Sequence, residues 1–415
     1  MRTRVMALTV GVVFLFGCNH TSSAVPQPKI VQSGQSHSNL SPDSLPSQYS
    51  GLYSFVGGSD GRIPQAPVVR DASGNLYGTA VNGGGSPNCE FGCGVVFKID
   101  VNGHETVLHS FSGTDGEIPT AGLIVDNAGN LFGTAQTGGS SNDGVVFKLD
   151  PTDTETVLHN FTGGSDGAGP HGELLRDTSG NLYGSTGAGG SSGCGGFGCG
   201  VVFKIDTNGN ESVLHSFNGT DGSGPTGALI QDAAGNFYGT TQGGGSSSGC
   251  RGVGCGVVFK LDPSGNETVL HSFSGADGSY PGGGLIRDSA GNLYGTTIGG
   301  GSSNDGVVFK IKANDHETVL LNFSGLDGQF PYGSLVMNAA GVLFGTTSIG
   351  GSREHGVVFA IDTNGNETVL HSFGGRTGPG KKPLAGLFRD SAGNLYGTAS
   401  DGGSGGLGVV FKLSH

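Results

Sequence analysis

Short runs of alternating hydrophobic and polar residues recur along this chain, and glycine-rich turns separate them. One repeat, written from Pro119, contains four strand-length pieces: PTAGLIVD, LFGTAQ, GVVFKLD and ETVLHNF. In the last piece Val157, His159 and Phe161 fall on one face of the expected strand. Helical spacing and helix caps are absent from the sequence. The pattern therefore predicts an all-β fold with four short antiparallel strands in each repeat.

The four-strand pattern occurs seven times along the chain. A GNLYGT block, or a near copy of it, is followed each time by VVFK or VVFA. The GNLYGT blocks start at Gly74, Gly129, Gly180, Gly235, Gly291, Gly341 and Gly393. A repeat of about 50 residues with four strands matches one blade of a β-propeller.

The two ends of the repeated region complement each other. Residues 51–55 are a lone copy of the fourth strand, and residues 408–413 are a third strand with no fourth strand after it. Closing the ring would remove the exposed strand edges. We therefore predict a seven-bladed β-propeller in which the N-terminal strand completes the last blade, three strands plus one. An open array would not need this complementary trimming.

Composition narrows the class of protein and of partner. Glycine accounts for 85 of 415 residues, but no G-X-Y triplet runs through the chain, so collagen is excluded. The net charge is −13, and the only basic cluster is the pair Lys381 and Lys382. A nucleic acid would meet uncompensated repulsion, so we expect no nucleic-acid partner.

The N-terminus has the features of a bacterial export signal. Arg2 and Arg4 precede an apolar stretch, residues 5–16, that is too short to span a bilayer. The sequence LFGC ending at Cys18 resembles the lipobox of bacterial lipoproteins, although Phe16 departs from the small residue usual there. The resemblance implies a lipidated Cys18 and, with Asn19 next to it, sorting to the outer membrane or cell surface. An ordinary signal peptide is the alternative.

The sequence divides into three parts. Residues 1–18 form the expected signal, and residues 19–48 are rich in Ser, Pro and Gln and predict a flexible tether. Residues 49–415 form the expected propeller. We expect a monomer that contacts the membrane through its lipid anchor.

Six of the seven cysteines form three local pairs, each just before a VVFK strand and each in a longer repeat. The pairs are Cys89 with Cys93, Cys194 with Cys199, and Cys250 with Cys255. We predict disulfides that close longer loops, each stabilising by about 2 kcal/mol. A structural zinc site is the alternative, but each pair stands in a different repeat without a histidine, short of four ligands. We predict neither a bound metal nor a cofactor.

Four blocks together resemble a known family. GNLYGTT, GGS followed by GVVFKLD, ETVLHSFSG and the DGxxP loop look like the GloVer tandem repeat of choice-of-anchor proteins, over residues 51–413. The hairpin before GNLY also resembles that of NHL-type propellers, where the preceding strand lies innermost. The GloVer resemblance implies a surface-anchored repeat domain, and it supplies no activity, ligand or catalytic residue.

The polar residues that recur in every repeat have structural explanations. Aspartates such as Asp71 precede a tight hairpin, and those such as Asp115 stand in DGxxP loops, where they are expected to cap turns. Calcium in these loops is the alternative, but it prefers six to eight oxygen ligands. The repeated histidines, such as His109, point outwards on successive blades, and we expect hydrogen-bonded structural histidines that do not converge on one metal.

Candidate function lies where the repeats differ. After the prolines of the DGxxP loops, His171 and Glu173 are the only ionisable residues in two variable columns, and they share a strand face. Such a pair at the mouth of the channel could act as base and orienting carboxylate, or bind a polar ligand. Neutral drift at a solvated rim is the alternative.

A second group on blades five and six combines aromatic with polar residues, which suits stacking against a sugar. It consists of Tyr280, Phe330, Tyr332, Arg353, Glu354 and His355. Loop packing is the alternative interpretation. No motif of a nucleophilic, metal-dependent or phosphate-binding enzyme occurs in a credible context.

The sequence thus favours a surface-anchored binding or scaffold module for a glycan, peptide or protein on the face that carries these loops. An extracytoplasmic lyase or hydrolase acting at the channel mouth is one alternative, which rests on analogy with other propellers. A purely structural envelope protein is the other.

Overall fold

The computed structural model describes residues 45–191, 193–374 and 380–415, which form seven antiparallel sheets arranged as blades. Each blade has an inner, a second, a third and an outer strand, and blades three and five carry one further short strand. The only helical segments in these residues are the short 3₁₀ turns Gly58–Asp60, Cys194–Gly196 and Cys250–Gly252. None of the described helices is long and apolar enough to cross a membrane. The predicted seven-bladed, all-β propeller is confirmed.

The strand bounds repeat from blade to blade. The inner strands are Val69–Arg70, Ile124–Val125, Leu175–Arg176, Ile230–Gln231, Ile286–Arg287, Val336–Met337 and Phe388–Arg389. The second strands are Leu76–Ala80, Leu131–Ala135, Leu182–Ala188, Phe237–Thr241, Leu293–Gly299, Leu343–Thr347 and Leu395–Ala399. The third strands are Val95–Ile99, Val145–Leu149, Val201–Ile205, Val257–Leu261, Val307–Ile311, Val357–Ile361 and Val409–Ser414.

The outer strands follow in the same order, and the first strand of the chain supplies the last of them. They are Glu105–Ser110, Glu155–Asn160, Glu211–Ser216, Glu267–Ser272, Glu317–Asn322, Glu367–Ser372 and Gln48–Ser54. The additional strands of blades three and five are Ala168–Pro170 and Ser279–Pro281, and each pairs with the second strand of its blade.

The ring closes in blade seven through pairing of the two ends of the described chain. Gln48–Ser54 pairs antiparallel with Val409–Ser414, so the predicted closure of three strands plus one is confirmed. Leu45 is already buried in the hydrophobic core that blades six and seven share. The packed part of the chain thus begins slightly before the predicted boundary at residue 49. The predicted signal and most of the predicted tether lie outside the described residues.

Inside each blade, a phenylalanine of the third strand lies over a glycine of the second strand. In blade one, Phe97 pairs across the sheet with Gly78, and a Cβ atom on Gly78 would lie 2.6 Å from Cζ of Phe97. Val95, Phe97 and Ile99 of the same strand are buried. The second glycine of GNLYGT is therefore needed to make room for the aromatic ring.

Between blades, the phenylalanine after each outer strand packs against the third-strand phenylalanine of the next blade. Phe111 meets Phe147 in a T-shaped contact with ring centroids 5.1 Å apart, and Phe55 meets Phe97 at 5.1 Å where the ring closes. All seven boundaries have this contact. Such aromatic pairs contribute about 0.5–1.5 kcal/mol beyond the area that they bury.

A second contact, which we call the latch, also joins each blade to the next. The glycine before VVFK packs against the proline of the next DGxxP loop, and the N–H before that proline donates to the carbonyl before that glycine. At the boundary of blades five and six, Phe330 N donates to Asp305 O at 2.8 Å. The other six latch hydrogen bonds, of 2.8–3.0 Å, run from Ile63, Ile118, Gly169, Gly224, Tyr280 and Lys382 to Leu407, Cys93, Asp143, Cys199, Cys255 and His355.

The latch holds its donor residue in the left-handed backbone region. The residue before each latch proline has φ between 55° and 65°, and five of the seven are not glycine. Ile63 and Ile118 are β-branched, and such residues rarely adopt positive φ. The surrounding contacts at each boundary therefore determine this conformation, against the local preference of the chain.

The three predicted disulfides are confirmed, between Cys89 and Cys93, Cys194 and Cys199, and Cys250 and Cys255. The second cysteine of each pair carries the latch carbonyl of its blade. Each disulfide thus braces a longer loop at the point where the neighbouring blade is held. Disulfides of this kind are typical of exported proteins.

The latch glycines should be intolerant of a side chain for steric reasons beyond their backbone angle. Gly306 and Gly275 both have φ of 95°, but a Cβ on Gly306 would overlap the carbonyl oxygen of Thr297 and lie 2.7 Å from Cδ of Pro331, whereas one on Gly275 would meet nothing within 4 Å. We expect Gly275→Ala to lower the free energy of unfolding by about 1–2 kcal/mol through backbone strain. Gly306→Ala should lose about 1–3 kcal/mol more through overpacking. Urea denaturation of both variants checks this, and equal losses would contradict a steric role for the latch.

Candidate functional site

The loops of the propeller fall on two faces. Because strand direction alternates in each blade, loops between second and third strands share a face with loops that lead from an outer strand to the next blade. We call this the loop face. Backbone contacts join the two sets of loops, as where Gly84 N donates to Gly58 O at 2.8 Å. The opposite, hairpin face carries the predicted aspartate turns, where Asp71 accepts hydrogen bonds from Asn75 N and Tyr77 Oη.

An axial cavity of about 590 Å³ runs between the inner strands, and every blade contributes to its wall. Most of its lining is aliphatic, and one buried side chain per blade illustrates this: Val68, Leu123, Leu174, Leu229, Leu285, Leu335 and Leu387. Asp126 and Arg176 also line it and form an ion pair at 3.9 Å. The inner position of the strand before the GNLY hairpin, expected from the NHL resemblance, agrees with this lining.

Glu173 lines this cavity on blade three. A Cβ on Gly122 of blade two would lie 3.0 Å from Oε2 of Glu173, so the glycine leaves space for the carboxyl group. Burial raises the pKa of Glu173 to about 7. Near neutral pH the side chain is thus divided between the acid and the carboxylate, so it can donate or accept a proton.

His171 makes a different contact, towards blade two. Nε2 of His171 lies 2.7 Å from Nε2 of Gln136, so the amide donates to an imidazole that carries its proton on Nδ1. Burial lowers the pKa of His171 to about 4. The imidazole is therefore neutral at physiological pH, and its Nδ1–H is a hydrogen-bond donor.

The structure does not join His171 and Glu173 as a catalytic pair. In the described part of the chain no hydrogen bond or ion pair links them, and burial alone shifts each pKa. Glu173 lines the cavity, whereas the contact of His171 is with Gln136. A role for either residue in ligand binding stays a prediction.

Several buried hydroxyl groups near His171 and Glu173 lack a hydrogen-bond partner, which the sequence did not reveal. The hydroxyls of Thr120 and Thr226, at the positions equivalent to His171 on the two flanking blades, are buried without a hydrogen bond. Thr79 of blade one donates to Ala121 O at 3.1 Å, but the equivalent Thr134 and Ser185 of blades two and three have no partner. The only sequence sign of this difference is the serine at 185 in place of threonine.

The aromatic group on blades five and six has structural roles. Tyr280 and Phe330 are latch donors, and Tyr280 Oη lies 3.4 Å from Cys250 O. Arg353 Nη1 donates to Gly374 O at 2.7 Å, and His355 O accepts the latch hydrogen bond. These contacts favour loop packing.

Of the same group, Tyr332 is 36% exposed, and Glu354 is also exposed. Tyr332 is thus the aromatic member of the predicted sugar-stacking group that is most available to a ligand.

Exposed apolar side chains mark the loop face more strongly than the predicted residues do. Phe91, Phe197 and Val253 occupy the same place in the three disulfide loops, two residues before the second cysteine, and are 57%, 77% and 64% exposed. Val56 and Leu326, in loops between blades, are 64% and 79% exposed. The sequence signal was available, since each disulfide loop has a hydrophobic residue directly before its Gly-Cys.

Comparison with solved structures shows this fold within larger proteins. The chain resembles a structure named as the extracellular domain of hybrid two component system BT3049 from B. thetaiotaomicron, with a TM-score of 0.56 and 13% identity over 89% of this chain. It also resembles the extracellular domain of one component system BT4673 from B. thetaiotaomicron, with a TM-score of 0.54 and 14% identity over 89% of this chain. The chain spans 41% and 42% of those two chains, and the likeness shows the fold alone.

A gluconolactonase of Xanthomonas campestris, XC5397, matches with a TM-score of 0.45 and 13% identity, over 88% of this chain and 89% of that chain. A likeness at this level carries no argument about activity.

No curated protein sequence matches the chain. The Gloeobacter/Verrucomicrobia repeat matches over residues 39–197 and again over residues 195–411. With these matches over most of its length, the chain belongs to the Gloeobacter/Verrucomicrobia repeat family.

Proposed function

We propose that this protein is an extracytoplasmic binding module whose loop face recognises a protein partner. The observation that supports it most is the set of apolar side chains exposed at equivalent places in three disulfide loops. Isolated exposed hydrophobic residues are ordinary on a protein surface, but here they recur at one position of a braced loop and on one face, and we interpret them as an interaction surface.

The disulfides also favour recognition. Each of the three apolar side chains stands inside a short covalent loop, so binding would order little additional backbone. Arg62 lies over the ring of Phe91, 4.5 Å from its centroid, and holds that side chain in place. Preorganised aromatic and arginine side chains are typical of residues that carry binding energy.

The composition of this surface favours a protein or peptide over a glycan. Sugar stacking needs flat aromatic faces, which Phe91 and Phe197 offer, but Val56, Val253 and Leu326 are aliphatic. The net charge of −13 disfavours a nucleic acid. A glycan ligand stacked on Tyr332 is the other outcome that the experiment below can return.

Membrane attachment is the second part of the proposal. It rests on the sequence before the tether, which resembles a lipoprotein signal ending at Cys18. The anchor would hold the propeller near the membrane through the predicted tether, residues 19–48.

Introducing a charge on the loop face should abolish partner binding. Val253 on the loop face and Val101 on the hairpin face are 64% and 67% exposed, so they form a matched pair. We expect Val253→Asp to reduce capture of the partner at least about tenfold, because a buried unpaired carboxylate costs several kcal/mol at an interface. Val101→Asp should leave capture unchanged.

The measurement is photo-crosslinking from residue 253 and from residue 101 on intact cells, followed by affinity measurements with the captured protein. Glycan-array binding of the same variants tests the carbohydrate alternative. Equal crosslinking from both faces, or loss of capture in both variants, would contradict the loop-face site.

Lipidation should depend on one thiol. We expect the wild-type protein to incorporate labelled palmitate and to sediment with membranes, whereas Cys18→Ser should incorporate none, because the modification forms on that sulfur. Mass spectrometry of the mature N-terminus identifies the cleavage point. An unlipidated wild-type protein cleaved elsewhere would show an ordinary signal peptide.

A hydrolase or lyase with its site in the axial cavity is the second candidate, supported by the buried carboxyl of Glu173. If Glu173 is a general acid, its protonated form is active, so turnover should fall as pH rises through about 7. Glu173→Gln should then lose about 10²–10⁴-fold in rate. Glu117→Gln, a carboxyl outside the cavity lining, is the control.

The assay is a panel of glycan and ester substrates at pH 5 to 9, with His171→Ala, alone and combined with Glu173→Ala, measured beside these variants. Turnover that survives Glu173→Gln would exclude Glu173 as the acid.

A further inference from the structure

In the described part of the chain, the outer edge of four blade boundaries carries a recurring group of titratable side chains that the proposed function does not use. In four blades the histidine of the outer strand lies beside the aspartate of the following loop, with Nε2 to Oδ2 distances of 3.0–3.5 Å. These pairs are His109 with Asp115, His159 with Asp166, His215 with Asp221, and His271 with Asp277.

A glutamate of the next blade completes the group. The first residue of each outer strand after these pairs is a glutamate, and its Oε1 atom is buried without a hydrogen-bond partner in all six blades that have it. The glutamates are Glu105, Glu155, Glu211, Glu267, Glu317 and Glu367. Unpartnered buried oxygens are rare in folded proteins, so a set that recurs at six boundaries calls for a partner that the chain itself does not provide.

At the boundary of blades four and five the three side chains converge. One donor atom each from His271, Asp277 and Glu317 lie within 4.8 Å of one another, and His271 Nε2 is 3.0 Å from Asp277 Oδ2. We propose that His271, Asp277 and Glu317 bind one divalent transition-metal ion, with zinc as the best match. The ion would join blade four, which supplies His271 and Asp277, to blade five, which supplies Glu317.

The chemistry of the donors selects the metal. One imidazole nitrogen and two carboxylates suit zinc, whereas calcium prefers six to eight oxygens. Donors around a tetrahedral zinc lie about 3.3 Å apart, given bonds of about 2.0–2.1 Å. The two carboxylates together balance the charge of the ion. All three residues are half-buried, so the ion can enter from solvent and a water can complete its coordination.

The loop around Asp277 fixes the orientation of its carboxylate. Oδ1 of Asp277 accepts hydrogen bonds from Ser274 N and Ser274 Oγ at 2.8 and 2.9 Å, which fixes the carboxylate and leaves Oδ2 towards His271. The imidazole of His271 is held edge-on by Phe273, with centroids 4.8 Å apart. Such orientation of ligands by their neighbours is typical of metal sites.

The chain contains natural variants of this group that guide the experiment. In blade five the histidine position is occupied by Leu321, and the blade keeps the same strands. His271→Leu therefore copies an arrangement that already folds in this protein. Glu317→Gln keeps the shape of the side chain, and Glu267→Gln changes the equivalent glutamate one boundary earlier.

The test is titration of the chelator-treated protein with Zn²⁺ by calorimetry and with Co²⁺ by visible absorption, which reports nitrogen and oxygen ligands in tetrahedral geometry. We expect one bound ion, a rise in the melting temperature with Zn²⁺, and affinity lower by at least about tenfold in His271→Leu and Glu317→Gln. Glu267→Gln should bind as wild type does. Circular dichroism confirms that each variant is folded.

Absence of binding by the wild-type protein would overturn the proposal. It would also be overturned if folded His271→Leu and Glu317→Gln bound the ion as tightly as wild type, since binding would then come from other surface histidines.

Discussion

The latch between neighbouring blades is the constraint on which the rest of the structure depends. A ring of seven blades closes only if the rotations at its boundaries add up to one full turn, and the latch constrains each rotation through the same backbone hydrogen bond. At the closing boundary a Cβ on Gly408 would overlap Pro64, and Ile63 N donates to Leu407 O at 2.8 Å. The closing boundary therefore has the same latch contact as the other six boundaries.

The latch also explains where the chain is free to vary. Beyond the latch carbonyl, the loop between the second and third strands faces solvent, so its length can change without altering the boundary. Three blades use this freedom for longer loops, and in these the carbonyl belongs to Cys93, Cys199 or Cys255. The disulfide prevents the longer loop from loosening the carbonyl. The same bond gives Phe91 and Phe197 a rigid base, so stability of the ring and presentation of apolar side chains share one cause.

The architecture could be predicted from the sequence because its causes are local and periodic. Alternation within ETVLHNF, the glycine opposite each third-strand phenylalanine and the short spacing of Cys89 and Cys93 all act within one repeat. The solvent exposure of individual side chains was harder to predict, because Phe91 and Phe97 are the same residue type in different environments. Phe97 is fully buried and Phe91 is 57% exposed. Phe91 stands inside the disulfide loop of Cys89 and Cys93, whereas Phe97 lies in the third strand.

Contacts between blades account for what the sequence could not show. The histidines lie on successive outer strands, but the sequence of one repeat does not reveal that the glutamate of the next blade reaches His271 and Asp277. We expected that the histidines of different blades would not converge on one metal, but a histidine can converge with the carboxylates of its own boundary. In the same way His171 and Glu173 were expected on one strand, but they lie in the segment between Ala168–Pro170 and Leu175–Arg176, and the partner of His171 is Gln136 of blade two. Each of these contacts depends on the rotation between blades.

The outer edge also poses an electrostatic problem at six boundaries of the described chain. An aspartate and a glutamate face each other there, and burial, together with the charge of the aspartate, raises the pKa of the glutamate to about 7 in most blades. Where Leu321 replaces the histidine, the pKa of Glu367 rises to about 8, and burial is again the larger cause. Near neutral pH such a boundary can hold a proton in place of a second negative charge. A boundary with a histidine in reach has a second solution, since three donors can share a cation, and in the described residues His271, Asp277 and Glu317 converge in this way.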